Sequence, residues 1–147
     1  MAAKRWPHFP DLAARFADVA IVGTVDDLQR LDGTEMRFPA HAKSFVGALT
    51  LRDTAELMAA AGVVVANDSG LAHVAAAVGT PTVMLFGPTD EGCLGPLAAT
   101  ASVARAGLPC EPCWTSAPLE ACAGRVDCLA QLSVDAIERR VRTFVGA

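Results

Sequence analysis

The chain carries Asn67-Asp68-Ser69-Gly70, then Leu71 and His73, and further on Gly87-Pro88-Thr89-Asp90. Carboxylates, hydroxyls, bare backbone and an imidazole within so short a stretch suit a phosphate-bearing ligand. The turn at 67–70 stands between an apolar run at 63–66 and a helix-forming run at 71–78. A helix N-terminus leaves backbone N–H groups without partners and carries partial positive charge, so it attracts phosphate. Gly70 lets a ligand approach the backbone closely, and Asp68 or Ser69 can cap the helix. His73 falls in the first turn, where a neutral imidazole offers a hydrogen bond. The same residues also fit a plain helix cap and an ordinary surface histidine. The second polar turn shifts the reading towards function, because both turns then follow strands. The carboxyl edge of an open α/β sheet is where ligands bind.

The elements that must hold these turns follow from apolar pattern and breakers. Buried strands are expected at 19–22, 63–66 and 82–86, with a further strand at 101–105 and one short strand within 35–48. Helices are expected at 11–16, 51–61, 71–78 and 133–145, with a helical turn at 26–31. Thr50-Leu51-Arg52-Asp53 has the form of a capping box, and Gly62 closes the helix that it opens. Helices alternating with near-continuous apolar strands imply an α/β domain, a Rossmann-like parallel sheet with helices on both faces. Such a unit normally opens with a strand, and here only Met-Ala-Ala precedes Lys4. A strand is therefore expected to be missing from the front, leaving an edge open to another chain. Either a truncated protein or a domain completed by homo-oligomerisation would follow.

At 147 residues the chain is read as one domain, 1–147, with a Cys-rich loop at 108–129. Its composition, 52% apolar and 19% charged, fits a folded core and argues against disorder. A net charge of −4 without a Lys/Arg cluster speaks against nucleic acid. No apolar run is long enough for a transmembrane segment, and no signal peptide is visible, so a cytoplasmic location is expected.

Four of the five cysteines crowd the last third: Cys110, Cys113, Cys122 and Cys128. A Cys-x2-Cys pair with two further thiolates can close a tetrahedral site for structural zinc, or for iron as in rubredoxin. The spacing between Cys122 and Cys128 is looser than in the usual zinc pattern. Disulfides and free thiols remain open alternatives, and a cytoplasmic setting weighs against the disulfides.

The stretch NDSGLAHVAAAVGTPTVMLFGPTD resembles the signature of the bacterial heptosyltransferases, the family 9 glycosyltransferases. The likeness extends to Lys4-Arg5-Trp6-Pro7, the turn at 23–27, the helix at 51–61 and the Cys-Pro-Cys stretch, and so covers nearly the whole chain. It implies one half of a GT-B glycosyltransferase, two Rossmann-like domains facing each other across a cleft. The C-terminal half binds a nucleotide-sugar donor, typically ADP-heptose. The N-terminal half binds the lipopolysaccharide acceptor and supplies the general base. Transfer inverts the anomeric centre and requires no cofactor. On this likeness the chain is the donor-binding half, inactive in isolation, with a cytoplasmic place peripheral to the inner membrane face.

The resemblance also assigns residues. Lys4 corresponds to the lysine that pairs with the donor phosphates, and with His73 it would stabilise charge on the leaving group. Asp26 or Asp27 falls near the acid used for the ribose. Asp68, Ser69, Gly70, Leu71 and His73 match the diphosphate turn, and Thr89 and Asp90 the second loop. The N-terminal domain and the strand before Lys4 have no counterpart, which removes the acceptor site and the base. Two rival functions stay open: half of a nucleotide-sugar epimerase or hydrolase, and a non-catalytic oligomerising module organised by the cysteine loop.

Overall fold

A computed structural model describes residues 4–30, 32–114, 122 and 126–146. In chain order its elements are α1 (Phe9–Ala13), β1 (Ala20–Ile21), a 3-10 turn (Val25–Leu28), β2 (Lys43–Ser44), α2 (Leu51–Ala59) and β3 (Val64–Asn67). Then come α3 (Gly70–Ala77), β4 (Thr82–Leu85), α4 (Glu91–Leu94), β5 (Ala101–Ala104), α5 (Asp127–Ala130) and α6 (Val134–Val145). Every strand pairing is parallel. The strands form two separate ladders, β1-β2 and β3-β4-β5.

β4 shows how the larger ladder is covered. All four of its residues are buried, and its side chains alternate between two cores. Val83 and Leu85 pack with Leu12, Leu129, Ile137 and Val141, the face covered by α1, α5 and α6. Met84 and Phe86 pack with Ala72 of α3, the opposite face. The period of two along a strand produces this split without any further instruction. Ile137, wholly buried on α6, contributes about 1.5–3 kcal/mol through removal of its side chain from water. Trp6 is also wholly buried. Its indole N–H donates to the Leu132 carbonyl at 2.8 Å, which satisfies the one polar atom that so large an apolar side chain brings inside.

Local signals explain the element ends. Thr50 accepts from the Asp53 N–H and donates its hydroxyl to the Asp53 carboxylate at 2.7 Å, so the capping box closes as expected. Ser133 accepts from the Ala136 N–H and starts α6. α1 starts two residues before the expected site and ends at Ala13. Pro10 sits in its first turn, where a missing N–H removes no helical bond. Two short helices form where loop was expected. Asp90 accepts from the Gly92 N–H and caps α4, and α5 buries Cys128 and Leu129. The cysteine loop at 108–129 falls partly outside the described residues. Among the described residues, no helix is long and apolar enough to cross a membrane.

Candidate functional site

The carboxyl ends of β3, β4 and β5 place three segments side by side. β3 and β4 run in register, Asn67 beside Leu85, so the turn after β3 meets the turn after β4. Asp68 lies between them and is 7% exposed. Its Oδ2 receives two donors: the Lys4 ammonium at 2.5 Å and the Thr89 hydroxyl at 2.8 Å. A buried carboxylate requires such partners, since an unpaired one would incur a large desolvation cost. Lys4 remains partly exposed. Its ammonium is thus pinned at the sheet edge with one side open to solvent.

Trp6 fixes the approach of Lys4. Its backbone N–H donates to the Asn67 side-chain carbonyl at 2.9 Å, while its ring is buried in the core. Between Lys4 and Trp6, Arg5 donates to the Gln29 carbonyl at 2.9 Å. The N-terminal segment is therefore held to the end of β3 and to the residue that follows the 3-10 turn.

The two polar turns differ in what they leave available. Ser69 is the N-cap residue of α3, with extended backbone and no side-chain cap bond. A Cβ placed on Gly70 would meet nothing within 4 Å, and its backbone is not left-handed. No contact within the chain demands glycine there, so the residue keeps bare backbone towards whatever lies outside. His73 is exposed and Leu71 half-buried on the same helix.

The turn at 87–90 is closed instead. Gly87, Pro88 and Thr89 are buried. The Pro88 carbonyl accepts from the N–H groups of Cys113 and Trp114 at 2.9 and 2.8 Å. Arg105, directly after β5, donates to the Gly87 carbonyl at 3.0 Å and also to the Thr89 carbonyl and the Glu91 carboxylate. The Asp90 carboxylate is engaged by the Gly92 N–H at 2.8 Å.

At the end of β1, Asp27 accepts from the Thr24 N–H and hydroxyl at 2.9 and 2.7 Å. Burial opposes its charged form, but the Thr24 hydrogen bonds and the Arg5 charge outweigh that and hold it below the ordinary carboxylate value. Asp26 is exposed beside it. Of the pair, Asp27 is occupied with its own turn and Asp26 faces outward.

Lys4, Asp68 and Thr89 therefore meet directly. Ser69 is the N-cap of α3 and Gly70, Leu71 and His73 lie on that helix, which starts at the same edge, and Asp90 follows Thr89. Asp26 and Asp27 lie across the N-terminal segment, joined to it through Arg5 at 3.8 Å from Asp27. Arg105 was missed, and Trp6 and Asn67 were read only as members of their motifs, without roles of their own. An arginine ending the apolar strand Ala101–Ala104 at this same edge was the available signal for the first. The positions of Trp6 and Asn67 depend on a contact 61 residues apart, for which no local pattern exists.

All five cysteines are free thiols. Burial raises the Cys113 thiol above its ordinary value, and neighbouring Cys122 and Cys110 add to the shift. Burial, then the Glu111 charge, pushes Cys128 up to about 11. The four cysteines of the loop are thus neighbours. Among the described residues, however, no three His, Cys, Asp or Glu side chains are arranged to hold a metal ion.

The sequence profile of glycosyltransferase family 9 (heptosyltransferase) matches residues 1–123. The lipooligosaccharide heptosyltransferase 2 of Haemophilus influenzae is 34% identical over 115 residues, covering 70% of this chain and 33% of that protein. The lipopolysaccharide heptosyltransferase 2 of Escherichia coli is 35% identical over 113 residues, covering 70% and 32%. The chain thus spans about a third of the length of these relatives. Among solved structures, the E. coli ADP-heptose lipopolysaccharide heptosyltransferase II aligns over 98% of this chain and 43% of its own, with a TM-score of 0.76 and 27% identity. An E. coli heptosyltransferase solved with ADP shares the fold, with a TM-score of 0.69 over 97% of this chain and 41% of its own, at 24% identity.

Proposed function

The chain belongs to the family 9 glycosyltransferases, the heptosyltransferases, and from that premise we propose that it is the donor-binding half of an inverting glycosyltransferase. The donor is a nucleotide-sugar of the ADP-heptose kind, and the acceptor belongs to lipopolysaccharide assembly. The observation that carries this reading is the Lys4–Asp68–Thr89 cluster beside the open N-terminus of α3.

The chemistry follows from what each group offers. As the sugar–phosphate bond breaks, negative charge grows on the departing nucleoside diphosphate. A fixed cation and free backbone N–H groups lower the energy of that charge more than that of the ground state. Asp68 orients Lys4 without engaging its whole ammonium. Gly70 lets the diphosphate settle on the backbone of α3, and Ser69 adds a hydroxyl that the cap does not use. His73 donates or accepts one hydrogen bond at the rim. Asp26, exposed after β1, suits a ribose hydroxyl, while Asp27 braces the turn. The acceptor hydroxyl loses its proton to a base on a second domain. The chain does no transfer alone, and its setting is the cytoplasmic face of a membrane where that acceptor is built.

Titration calorimetry of the chain with ADP, UDP and GDP tests the reading. Saturable binding of ADP in preference to UDP and GDP is expected, together with no sugar release or transfer from ADP-heptose. Failure to bind any of the three nucleotides overturns the donor site. Transfer by the isolated chain overturns the division of labour.

A further inference from the structure

We propose that the indole of Trp114 is a platform for the transferred sugar of the donor, the ring bonded directly to the diphosphate. The inference rests on the donor-site reading above and adds to it a residue that selects for the sugar.

The two tryptophans of the chain are treated differently. Trp6 is wholly buried, and its indole N–H donates to the Leu132 carbonyl. Trp114 is 39% exposed, and among the described residues its indole N–H donates to no group of the chain. Its backbone is nevertheless fixed. The Trp114 N–H donates to the Pro88 carbonyl at 2.8 Å, beside the Cys113 N–H at 2.9 Å. Pro88 is buried, so the main chain at 114 is tied to the second turn while the ring stands outside. Such an indole offers an apolar face and a free polar N–H together, which suits a ligand with both C–H and hydroxyl groups.

The ring stands where the charge is. The Lys4 ammonium lies over it, 6.0 Å from its centre, and Asp68 fixes the same ammonium. That separation is the outer limit of a cation–π contact, so neither group depends on the other for its place. Asp68 holds the ammonium and Pro88 holds the indole. Thr89, next after Pro88, donates to Asp68 at 2.8 Å, which joins the two supports.

Connectivity selects the occupant. In a nucleotide-sugar the transferred ring is bonded to one phosphate, whereas the base is separated from the other by the ribose. A diphosphate on Lys4 therefore brings the sugar ring closest to the indole. The ribose end has a different neighbour. Asp26 lies in the turn whose Asp27 meets Arg5 at 3.8 Å, not in the loop that carries Trp114. A pyranose also suits the surface chemically. Its ring C–H bonds carry slight positive charge and the indole face is negative. Its hydroxyls, at the rim of the ring, can accept from the indole N–H. A purine would stack as well, but ADP and ADP-heptose would then depend on the indole alike.

Calorimetry of ADP and of ADP-heptose on the wild-type chain and on Trp114→Ala separates these cases. The variant should lose about tenfold in affinity for ADP-heptose and at most about threefold for ADP. Trp114→Phe restores an aromatic face and should recover most of the ADP-heptose affinity. An unaltered far-ultraviolet spectrum shows each variant to be folded. If alanine loosens the fold, Trp114→Leu, which keeps apolar bulk without a π face, gives the same comparison. Equal losses for the two ligands assign the indole to the base or to the fixing of Lys4 and overturn the proposal. Affinities for both that are indifferent to Trp114 also overturn it. In either case the binding of ADP leaves the donor site standing. A wild-type chain that binds no nucleotide removes the donor site and the platform with it.

Discussion

The turns after β3 and β4 are neighbours on one sheet edge and begin from similar residue types, yet they are built to opposite ends. Residues 87–89 of the second turn are buried, and their carbonyls are taken up by Arg105, Cys113 and Trp114. The turn at 67–70 keeps a Ser69 hydroxyl outside its own cap and a Gly70 that nothing in the chain crowds. One turn is a buttress and the other a receiver. Asp68 joins them, taking Thr89 from the first and presenting Lys4 to the second. A phosphate site needs both kinds of loop, because its donors are effective only if they do not have to reorganise when charge arrives.

The joint is where the comparison breaks most completely. Asp68→Ala leaves Lys4 without its anion and the buried Thr89 hydroxyl without an acceptor. It should cost about 1–3 kcal/mol in denaturant unfolding, discounted because Lys4 is partly solvated. It should also abolish measurable ADP binding. Nucleotide binding at wild-type strength in this variant would remove Asp68 as the link between the turns.

Lys4→Met tests the receiver's charge alone. We expect an ADP affinity about 10- to 100-fold lower and a flatter dependence on salt, with a clear loss of stability because the buried Asp68 carboxylate keeps only the Thr89 hydroxyl. Calorimetry at two ionic strengths reads both effects.

Gly70→Ala sharpens the contrast further, because the fold gives the new methyl free space. Thermal unfolding should be unchanged or slightly raised, since alanine favours a helix. ADP affinity should fall about tenfold where the ligand meets the methyl. An equal affinity would place the ligand away from this turn.

The smallest effect concerns the buttress. The Cys128 thiol is pushed up to about 11 from an ordinary 9.0. Its neutral form is therefore the one that the fold favours. That stability is fully present below about pH 9 and is lost as pH rises through about 11. Tm should decline over that window, and Cys128→Ala should flatten the decline.

How much of this was legible in the sequence depends on the range of each interaction. The capping box at Thr50, the apolar runs of β3 and β4 and the two polar turns rest on residues within a few positions of each other, and all appear where pattern placed them. The candidate residues at the start of α3 were readable because the strand, the turn and the helix are contiguous. Arg105 was not singled out, since only the sheet brings it back to Gly87. The division between Asp26 and Asp27 was equally hidden: it depends on Thr24 and Arg5 engaging one carboxylate and not the other. The missing front strand was expected to leave an open sheet edge; among the described residues the strands fall into two separate ladders, β1-β2 and β3-β4-β5.

The chain's two tryptophans also make it an optical instrument. Trp6 is wholly buried, so its emission belongs to the blue end and follows unfolding. Trp114 is 39% exposed, with the Lys4 ammonium 6.0 Å from its ring centre. Its redder emission senses the local field, which the diphosphate of the proposed donor would alter on arriving at Lys4. One sample excited at one wavelength therefore reports stability and occupancy in separable colours, and Trp114→Phe silences only the second.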